Sequence, residues 1–284
     1  MPVTHAAVEL DGTTLRFAEV AQEDRALLRL GRVVLDFDVR DALDGQRDER
    51  AALGQAVADV FAGARPQMLT VALHPAGLTV WSAPLDRDTD AEARRQRLRR
   101  EAMLLTGADE RDLALHVTPL YDDGDAEWQL VMALPAAWGE TLRGLGQRLG
   151  VDPVRLVPAA QGAARTLGAS TGRALVVGLY DAGAELAFVS DGAVRLVGHA
   201  PASEPSDAAF TTLSLLSRVG VQNGSGVETL VLFGPGARPE AATAFEGALG
   251  VQARPLDPFT ALRFQGQPPV GSDAFAPVIG AALG

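Results

Sequence analysis

The sequence predicts an α/β protein built from two related halves. Three apolar or alternating runs, Ala174–Tyr180, Ala184–Ser190 and Ala193–Gly198, are separated by short turns, the second of which is Asp191-Gly192. Such a pattern is typical of antiparallel strands joined by tight turns. A second copy of the pattern begins at Ala6, and each copy is followed by helix and strand patterns. We therefore expect two mixed sheets, one in each half, flanked by helices.

The composition excludes several classes of function. The 284 residues include no cysteine, and all 25 basic residues are arginines, which rules out disulfides, thiolate chemistry, a P-loop lysine and Schiff-base catalysis. A net charge of −11 argues against nucleic acid as a partner. The apolar runs are much shorter than the roughly 20 residues that span a bilayer, and the first residues lack a signal-peptide pattern. We expect a cytoplasmic protein.

The first half is predicted to contain a large insert. After the N-terminal strands, apolar residues recur at helical spacing in Gln46–Phe61. Residues 67–150 then carry two predicted hairpins, each followed by a helix: Met68–Leu73 with Leu78–Trp81 and the charged helix Asp88–Thr106, then Asp112–Tyr121 with Glu127–Leu134 and a helix with a stripe of Leu142, Leu145 and Leu149. This pattern predicts a ββαββα subdomain inserted between residues 1–66 and residues 151–172, which return to the first half.

The second half is predicted to span residues 173–284 and to repeat the plan of the first. The elements expected after its three strands are, in order, the helix Asp207–Arg218, the strand Thr229–Phe233, the turn Gly234-Pro235-Gly236, the helix Pro239–Leu249, the short run Val251–Arg254 and the terminal helix Ala274–Leu283. Before this half, a strand is expected at Val154–Val157 and a helix at Pro158–Leu167.

Several segments occur in the order of a known family. They are VELDGTTLRFAEV at 8–20, LTVALHPAGLTVWSAPLD at 69–86, ALVVGLYDAGAELAFVSDG at 174–192, LVLFGPG at 230–236 and LGVQARPLDPF at 249–259. In this order they resemble the PilM-like pilus-assembly proteins, whose relatives include FtsA and the cytoplasmic domain of GspL. The resemblance covers nearly the whole chain. It implies the actin-like (ribonuclease H-like) duplicated fold, with a cleft between the two halves.

The resemblance also implies a nucleotide site in that cleft. The family holds ATP and its metal with two Asp-x-Gly loops and a glycine-rich turn, and the matching residues are Asp11, Gly12, Thr13, Thr14, Asp181, Gly183, Gly234 and Gly236. In strict register, Glu9 takes the first acidic position and Gly178 the second, and Asp181-Ala182-Gly183 restores the second motif only with a gap. A carboxylate where amides should approach a phosphate repels it, and Pro235 removes one amide donor.

These departures predict a degenerate cleft. Only one helix and loops fit between His199 and Thr229, so the family's lid subdomain is expected to be reduced or absent. Without a lid, the cleft cannot exclude water from a bound phosphate. We expect an open cleft between Asp11–Thr14 and Gly234–Gly236, no bound cofactor and no ATP hydrolysis. An ATP-binding ATPase or kinase is the alternative.

No metal site is predicted from the histidines. His5, His74, His116 and His199 are widely separated and show no ligand spacing, although distant residues can converge in a fold.

The resemblance finally implies a partner. In PilM-like proteins, the cytoplasmic tail of a bitopic, PilN-like membrane protein docks between the first half and its insert. The candidate wall consists of apolar residues of the insert: Leu69, Val71, Leu73, Leu78, Val80, Trp81, Leu104, Leu105, Leu113 and Leu115. A hairpin edge would supply main-chain hydrogen bonds to such a peptide. Alternatively, these residues form only the core of the insert.

We therefore expect a non-catalytic cytoplasmic scaffold of an inner-membrane machine for type IV pilus assembly or DNA uptake. It would reach the membrane only through its partner. The cytoplasmic domain of a GspL-like type II secretion protein is a further alternative.

Overall fold

The protein contains two five-stranded sheets and one three-stranded sheet. The computed structural model describes residues 3–74, 78–85, 88–168, 171–181, 183–202, 204–221, 224 and 226–284. No helix in these residues is both long and apolar enough to cross a membrane.

The first sheet has the strand order β3-β2-β1-β4-β8. The elements of this half are β1 (Thr4–Asp11), β2 (Thr14–Ala21), β3 (Ala26–Val34), α1 (Val39–Leu43), α2 (Arg47–Val60), β4 (Met68–Leu73), β8 (Arg155–Pro158) and α5 (Ala159–Ala164). Alternation in β1 directs Val8 and Leu10 toward Leu53 and Val57 of α2, whereas Ala7 faces the opposite side of the sheet. The two faces of the sheet therefore belong to two different apolar cores.

The insert carries the three-stranded sheet, in the order β5-β7-β6. Its elements are β5 (Thr79–Leu85), α3 (Ala91–Thr106), β6 (Leu113–Asp122), β7 (Glu127–Pro135) and α4 (Ala136–Leu149). Asp90 caps α3 by accepting hydrogen bonds from the amides of Glu92 and Ala93, so the helix begins three residues later than predicted.

The predicted hairpin between Met68–Leu73 and Leu78–Trp81 is wrong. Residues Met68–Leu73 form β4, which lies inside the first sheet, parallel to both β1 and β8. The run MLTVAL is apolar or small throughout and is almost entirely buried, as is typical of a strand covered on both faces. The helix α4 also covers the first half, because Trp138, Leu142 and Leu145 belong to the same core as β1 and α2. The insert's own sheet therefore has three strands.

The second sheet has the order β11-β10-β9-β12-β13 and repeats the first sheet strand for strand. Its elements are β9 (Ala174–Tyr180), β10 (Gly183–Ser190), β11 (Ala193–Ala200), α6 (Pro205–Ser217), β12 (Thr229–Phe233), α7 (Pro239–Leu249), β13 (Ala253–Pro255) and α8 (Ala276–Ala282). In both sheets the first three strands are antiparallel and the last two run parallel to the first. The predicted fold class is confirmed.

Two helices lie between the sheets. The apolar face of α5 packs against β9 and β10 of the second sheet, whereas α8 packs against β1, β2 and β4 of the first. The helices approach each other closely at Gly162 and Gly280, where a Cβ on either residue would collide with the backbone of the other helix. Each sheet is thus covered by a helix from the other half: α5, which follows the first sheet in the chain, covers the second sheet, and α8, which follows the second sheet, covers the first.

Candidate functional site

Buried polar side chains from both halves meet on the inner faces of the two large sheets. Glu9 lies on β1, His74 directly follows β4, and Glu185 lies on β10. His74 Nδ1 is 2.6 Å from Glu185 Oε1, and His74 Nε2 is 3.1 Å from Glu9 Oε1. Glu9 is fully buried, and Glu185 is 3% exposed. We call these three residues the Glu-His-Glu bridge.

Three further side chains surround the bridge. Arg16 Nη1 donates hydrogen bonds to Glu9 Oε1 at 3.1 Å and to Asp11 Oδ2 at 3.2 Å. The ring of Tyr180 meets the imidazole of His74 edge to face, with 4.3 Å between the ring centroids. Burial raises the pKa of Tyr180 well above its usual value, and the nearby carboxylates add to this, so the phenol is neutral. Arg16, in contrast, supplies a permanent positive charge beside the bridge.

The two carboxylates favour a protonated His74. A neutral imidazole has only one donor nitrogen, but here both ring nitrogens face carboxylate oxygens, which accept hydrogen bonds. Burial alone would lower the pKa of His74; Glu185 and Glu9 outweigh burial and raise that pKa to about 10. The structure thus favours an imidazolium ion between two carboxylates.

The first predicted nucleotide loop is an ordinary strand turn. Asp11 is paired with Arg16, Gly12 adopts a φ of 54°, and Gly12 and Thr13 are exposed, with Thr14 opening β2. The carbonyls of Gly12 and Thr13 accept hydrogen bonds from the amides of Val39 and Leu35. The turn is therefore fixed to the chain that follows β3.

The residues of the second and third predicted nucleotide loops are also engaged in contacts within the protein. A Cβ at Gly183 would collide with the carbonyl oxygen of Ala200, which gives this glycine a packing role. Ala182 lies outside the described residues. The amide of Gly236 donates to the carbonyl of Leu179 at 2.9 Å, and Gly234 packs close to the ring of Tyr180. The Gly236 amide is therefore unavailable to a nucleotide.

The structure does not bring all the predicted nucleotide residues into one cavity. Asp181, Gly183 and Gly236 line a cavity of about 480 Å³ that is also lined by Glu204, Glu240 and Arg238. Gly234 lies in a neighbouring cavity with Arg16, and Asp11–Thr14 line neither. The Glu-His-Glu bridge and Tyr180 fill the centre of the space between the halves, which leaves separate cavities in place of the single open cleft that was expected.

The donor set does not fit a metal-bound nucleotide. Glu9, Asp11 and His74 each offer one atom within 4.8 Å of the others. However, Arg16 already pairs with both Glu9 and Asp11, and a protonated ring nitrogen cannot bind a metal. Magnesium also prefers an all-oxygen shell that includes substrate phosphates. Between β11 and β12, α6 is the one α-helix that the described residues form, and they form no further subdomain.

A larger cavity lies between the insert and the second half. It has a volume of about 920 Å³ and is bordered by four consecutive residues of β5, Thr79–Ser82, and by five of β11, Arg195–His199. Both strands are sheet edges, because β5 pairs with β7 and β11 pairs with β10 in the described residues. Consecutive side chains point to opposite faces of a strand. A run of consecutive residues therefore borders one cavity where the backbone edge of the strand lies along it. We call this cavity the β5–β11 groove.

The predicted partner wall is divided among different environments. Leu69, Val71 and Leu73 are buried in the first-half core, so their assignment to an accessible wall is wrong. Leu78, Val80 and Trp81 line the β5–β11 groove. Leu113 and Leu115 instead line a separate groove of about 750 Å³ between α3 and β6. Leu104 and Leu105 are exposed on α3.

Sequence reasoning overlooked the roles of His74, Glu185, Arg16 and Tyr180. One signal was present: Glu185 is the single acidic residue of β10, and Glu9 lies between apolar neighbours in the predicted strand β1. A buried carboxylate in such a strand requires a partner. That partner, His74, is 65 residues from Glu9 and 111 from Glu185, so spacing in the sequence could not identify it.

Similar proteins were found among solved structures. No protein-family model and no curated protein sequence matches the chain. The chain is similar to one in a PilM–PilN type IV pilus biogenesis complex, with a TM-score of 0.71 and 18% identity over 100% of this chain and 98% of that one. A Bacteroides thetaiotaomicron protein described as having an actin-like ATPase fold and unknown function gives a TM-score of 0.56 and 10% identity over 91% and 94% of the two chains.

A third similarity is to the cytoplasmic domain of EpsL, an inner-membrane component of the type II secretion system of Vibrio cholerae. The TM-score is 0.49 and the identity 14%, over 83% of this chain and 84% of that one. The repeated five-stranded sheets and the first two similarities together show that this chain has the actin-like fold.

Proposed function

We propose that the chain is a non-catalytic cytoplasmic scaffold that docks an extended segment of a membrane protein in the β5–β11 groove. The observation that carries this proposal is the pair of unpaired strand edges that border the groove. A segment laid along either edge gains main-chain hydrogen bonds, and its alternate side chains then point toward the groove walls. Such docking requires no chemistry and no cofactor.

The groove side chains define the kind of segment that fits. Tyr121 and Trp128 are stacked with 5.7 Å between their ring centroids, and the guanidinium of Arg195 lies 4.2 Å from the Tyr121 ring centroid. Arg173 and Arg218 also line the groove. The acidic lining residues are Asp123 and Glu185, and Glu185 is engaged with His74. The groove therefore suits an apolar segment that carries acidic residues.

The class of machine is inferred from the fold relationship. One structure that this chain resembles over its full length is a complex of PilM with PilN in type IV pilus biogenesis. By analogy, the partner of this chain is the cytoplasmic tail of an inner-membrane, PilN-like protein, and the machine assembles type IV pili or takes up DNA. On this proposal the chain is peripheral to the inner membrane and held there by its partner.

The absence of ATPase activity is part of the proposal. It is supported by the three carboxylates of Asp181, Glu204 and Glu240 around the cavity where the second and third loops meet. A polyphosphate brought to this cavity would be repelled by them. The engaged Gly236 amide and the filled cleft give the same expectation.

The docking proposal is tested by matched charge reversals. Arg195→Glu changes the groove, whereas Arg143→Glu changes an exposed residue of α4. We expect Arg143→Glu to recover an inner-membrane pilus or secretion protein from native membranes as well as the wild type does. Arg195→Glu and Trp128→Ala should reduce that recovery at least about tenfold, which corresponds to about 1.4 kcal/mol of binding.

Calorimetry with a synthetic peptide of the recovered protein's cytoplasmic tail then measures the affinity directly. Thermal unfolding shows whether each variant is folded. Equal binding by folded Arg195→Glu and Trp128→Ala would place the docking surface elsewhere.

A further inference from the structure

The Glu-His-Glu bridge is the ionic contact that joins the two large sheets. Glu9 and His74 belong to the first sheet and its following turn, whereas Glu185 belongs to the second sheet. The buried carboxylates of Glu9 and Glu19 also pair with Arg16 and Arg29, and both of these pairs lie within the first sheet. A second ion pair between the halves joins Asp24 to Arg263 at 3.5 Å, but both of its side chains are exposed. The His74 to Glu185 contact at 2.6 Å is therefore distinguished, among the ion pairs of the described residues, as the buried one between the halves.

We propose that protonated His74 holds the two halves together, and that this internal cation closes the cleft without nucleotide or metal. The proposal goes beyond partner docking and does not depend on it. It follows from the finding that the site residues do not fit the metal-bound nucleotide that this fold would otherwise accept. In place of a ligand that contacts both halves, the chain supplies an imidazolium that contacts a carboxylate from each.

The charges around His74 support a bound proton. The groups around it are Glu9 and Asp11 on β1, Arg16 on β2, Tyr180 on β9 and Glu185 on β10, and His199 on β11 interacts with Glu185. With His74 neutral, two buried carboxylates and the partly exposed carboxylate of Asp11 surround one guanidinium. A second cation is required to reduce this excess negative charge, because buried charges are stable only when they are paired. The proton on His74 supplies it.

The two carboxylates depend on few contacts. Glu9 Oε2 and Glu185 Oε2 are buried and have no hydrogen-bond partner in the described part of the chain. Each carboxylate therefore relies on its Oε1 contacts, which for Glu185 is the contact with His74. Removing His74 leaves Glu185, which borders the β5–β11 groove, without its partner from the other half. The halves should then separate at this contact, so that water from the groove hydrates the carboxylate.

Distance measurements between the halves test this proposal in the full chain. The sequence has no cysteine, so Ala52→Cys on α2 and Thr243→Cys on α7 provide two unique, exposed sites for spin labels. We expect a single narrow distance distribution in the otherwise unchanged chain. His74→Ala and Glu185→Gln should each broaden it toward longer distances. Glu19→Gln, which removes the ion pair of a buried carboxylate within one sheet, is the matched control and should leave the distance distribution unchanged.

Nuclear magnetic resonance supplies an independent readout. The chain has four histidines, and the imidazole signal of His74 is identified by its loss in His74→Gln. We expect that signal to remain at the imidazolium position at pH 8, where an ordinary histidine is neutral. A neutral His74 at pH 8 would overturn the proposal. So would narrow distances in both Glu185→Gln and His74→Ala, or a changed wild-type distance when ATP and magnesium are added.

Discussion

At the scale of single residues, the protonation of His74 should be visible in the stability of the whole chain. With no lysine and no cysteine, few side chains other than the four histidines and two tyrosines titrate between pH 6 and 10. The folded state raises the pKa of His74 from 6.5 to about 10. This group therefore stabilises the folded state fully below pH 6.5, and that contribution is lost as pH rises through about 10.

We expect the free energy of unfolding to fall as pH rises from 6.5 toward 10, as measured by urea unfolding at several pH values. His74→Gln should lower it at pH 7 by about 3–5 kcal/mol, because a buried carboxylate loses its charged partner. The variant should also show a shallower dependence on pH than the wild type. Parallel pH profiles for the two proteins would mean that His74 is not the titrating group.

A second residue-scale prediction concerns the role of Gly183. Its φ is 125°, and a Cβ would collide with the Ala200 carbonyl. Gly183→Ala should therefore lower the free energy of unfolding by about 1–3 kcal/mol, even without any ligand. Gly247→Ala, at an open and exposed position of α7, should instead raise it by about 0.5–1 kcal/mol. A fully stable Gly183→Ala chain would show that this glycine is not needed for packing.

The sequence predicted individual residues unevenly. The turn at Asp11-Gly12 and the start of the helix near Asp90 follow from local chemistry, so they were predicted correctly or within a few residues. By contrast, the partners of Glu9 and Glu185 are set by contacts between distant segments. Burial of Leu69, Val71 and Leu73 could not be distinguished from exposure in a groove, because an apolar strand has the same residue types in a core and in a groove wall.

At the scale of elements, the locations of β4 and α4 show the same limit. Periodicity predicted that both elements exist, but it does not specify which sheet accepts a strand or which core a helix covers. The sequence assigned both to the insert, whereas β4 pairs with β1 and β8, and α4 packs on α1 and α2. The insert therefore depends on the first half, and the first half depends on α4.

The dependence on α4 gives an element-scale prediction. Leu142 is 2% exposed in the first-half core, whereas Arg143 beside it is exposed. Leu142→Ala should lower the free energy of unfolding by about 2–5 kcal/mol, because it leaves a cavity in that core. Arg143→Ala should change it by less than about 0.5 kcal/mol. Urea unfolding at pH 7 measures both, and a small effect of Leu142→Ala would mean that α4 is dispensable to the first half.

At the scale of the whole molecule, the two halves are joined by exchanged helices as well as by the bridge. The duplication of the five-stranded sheet was recognisable in the sequence because each copy keeps its strand and turn pattern. The exchange of α5 and α8 was not recognisable, because short apolar helices of this kind carry no sequence feature that identifies the sheet they cover. The filled cleft follows from both: helices fix the sheets face to face, and His74 links the carboxylates between them.

The filled cleft predicts how the whole molecule responds to nucleotide. A bound ATP would have to displace the contacts of Glu9, His74 and Glu185 and approach the acidic cavity near Gly236. We expect calorimetry with ATP and magnesium to show no binding at micromolar concentrations, and phosphate release to stay at the level of buffer. A double variant, Glu9→Asp with His74→Ala, removes the cation and shortens the acid. It should still bind no ATP, because the Gly236 amide and the carboxylates of Glu204 and Glu240 are unchanged. Micromolar binding to the wild type, with phosphate release abolished by Gly236→Arg, would show that the third loop does accept a nucleotide and that the chain is an active ATPase.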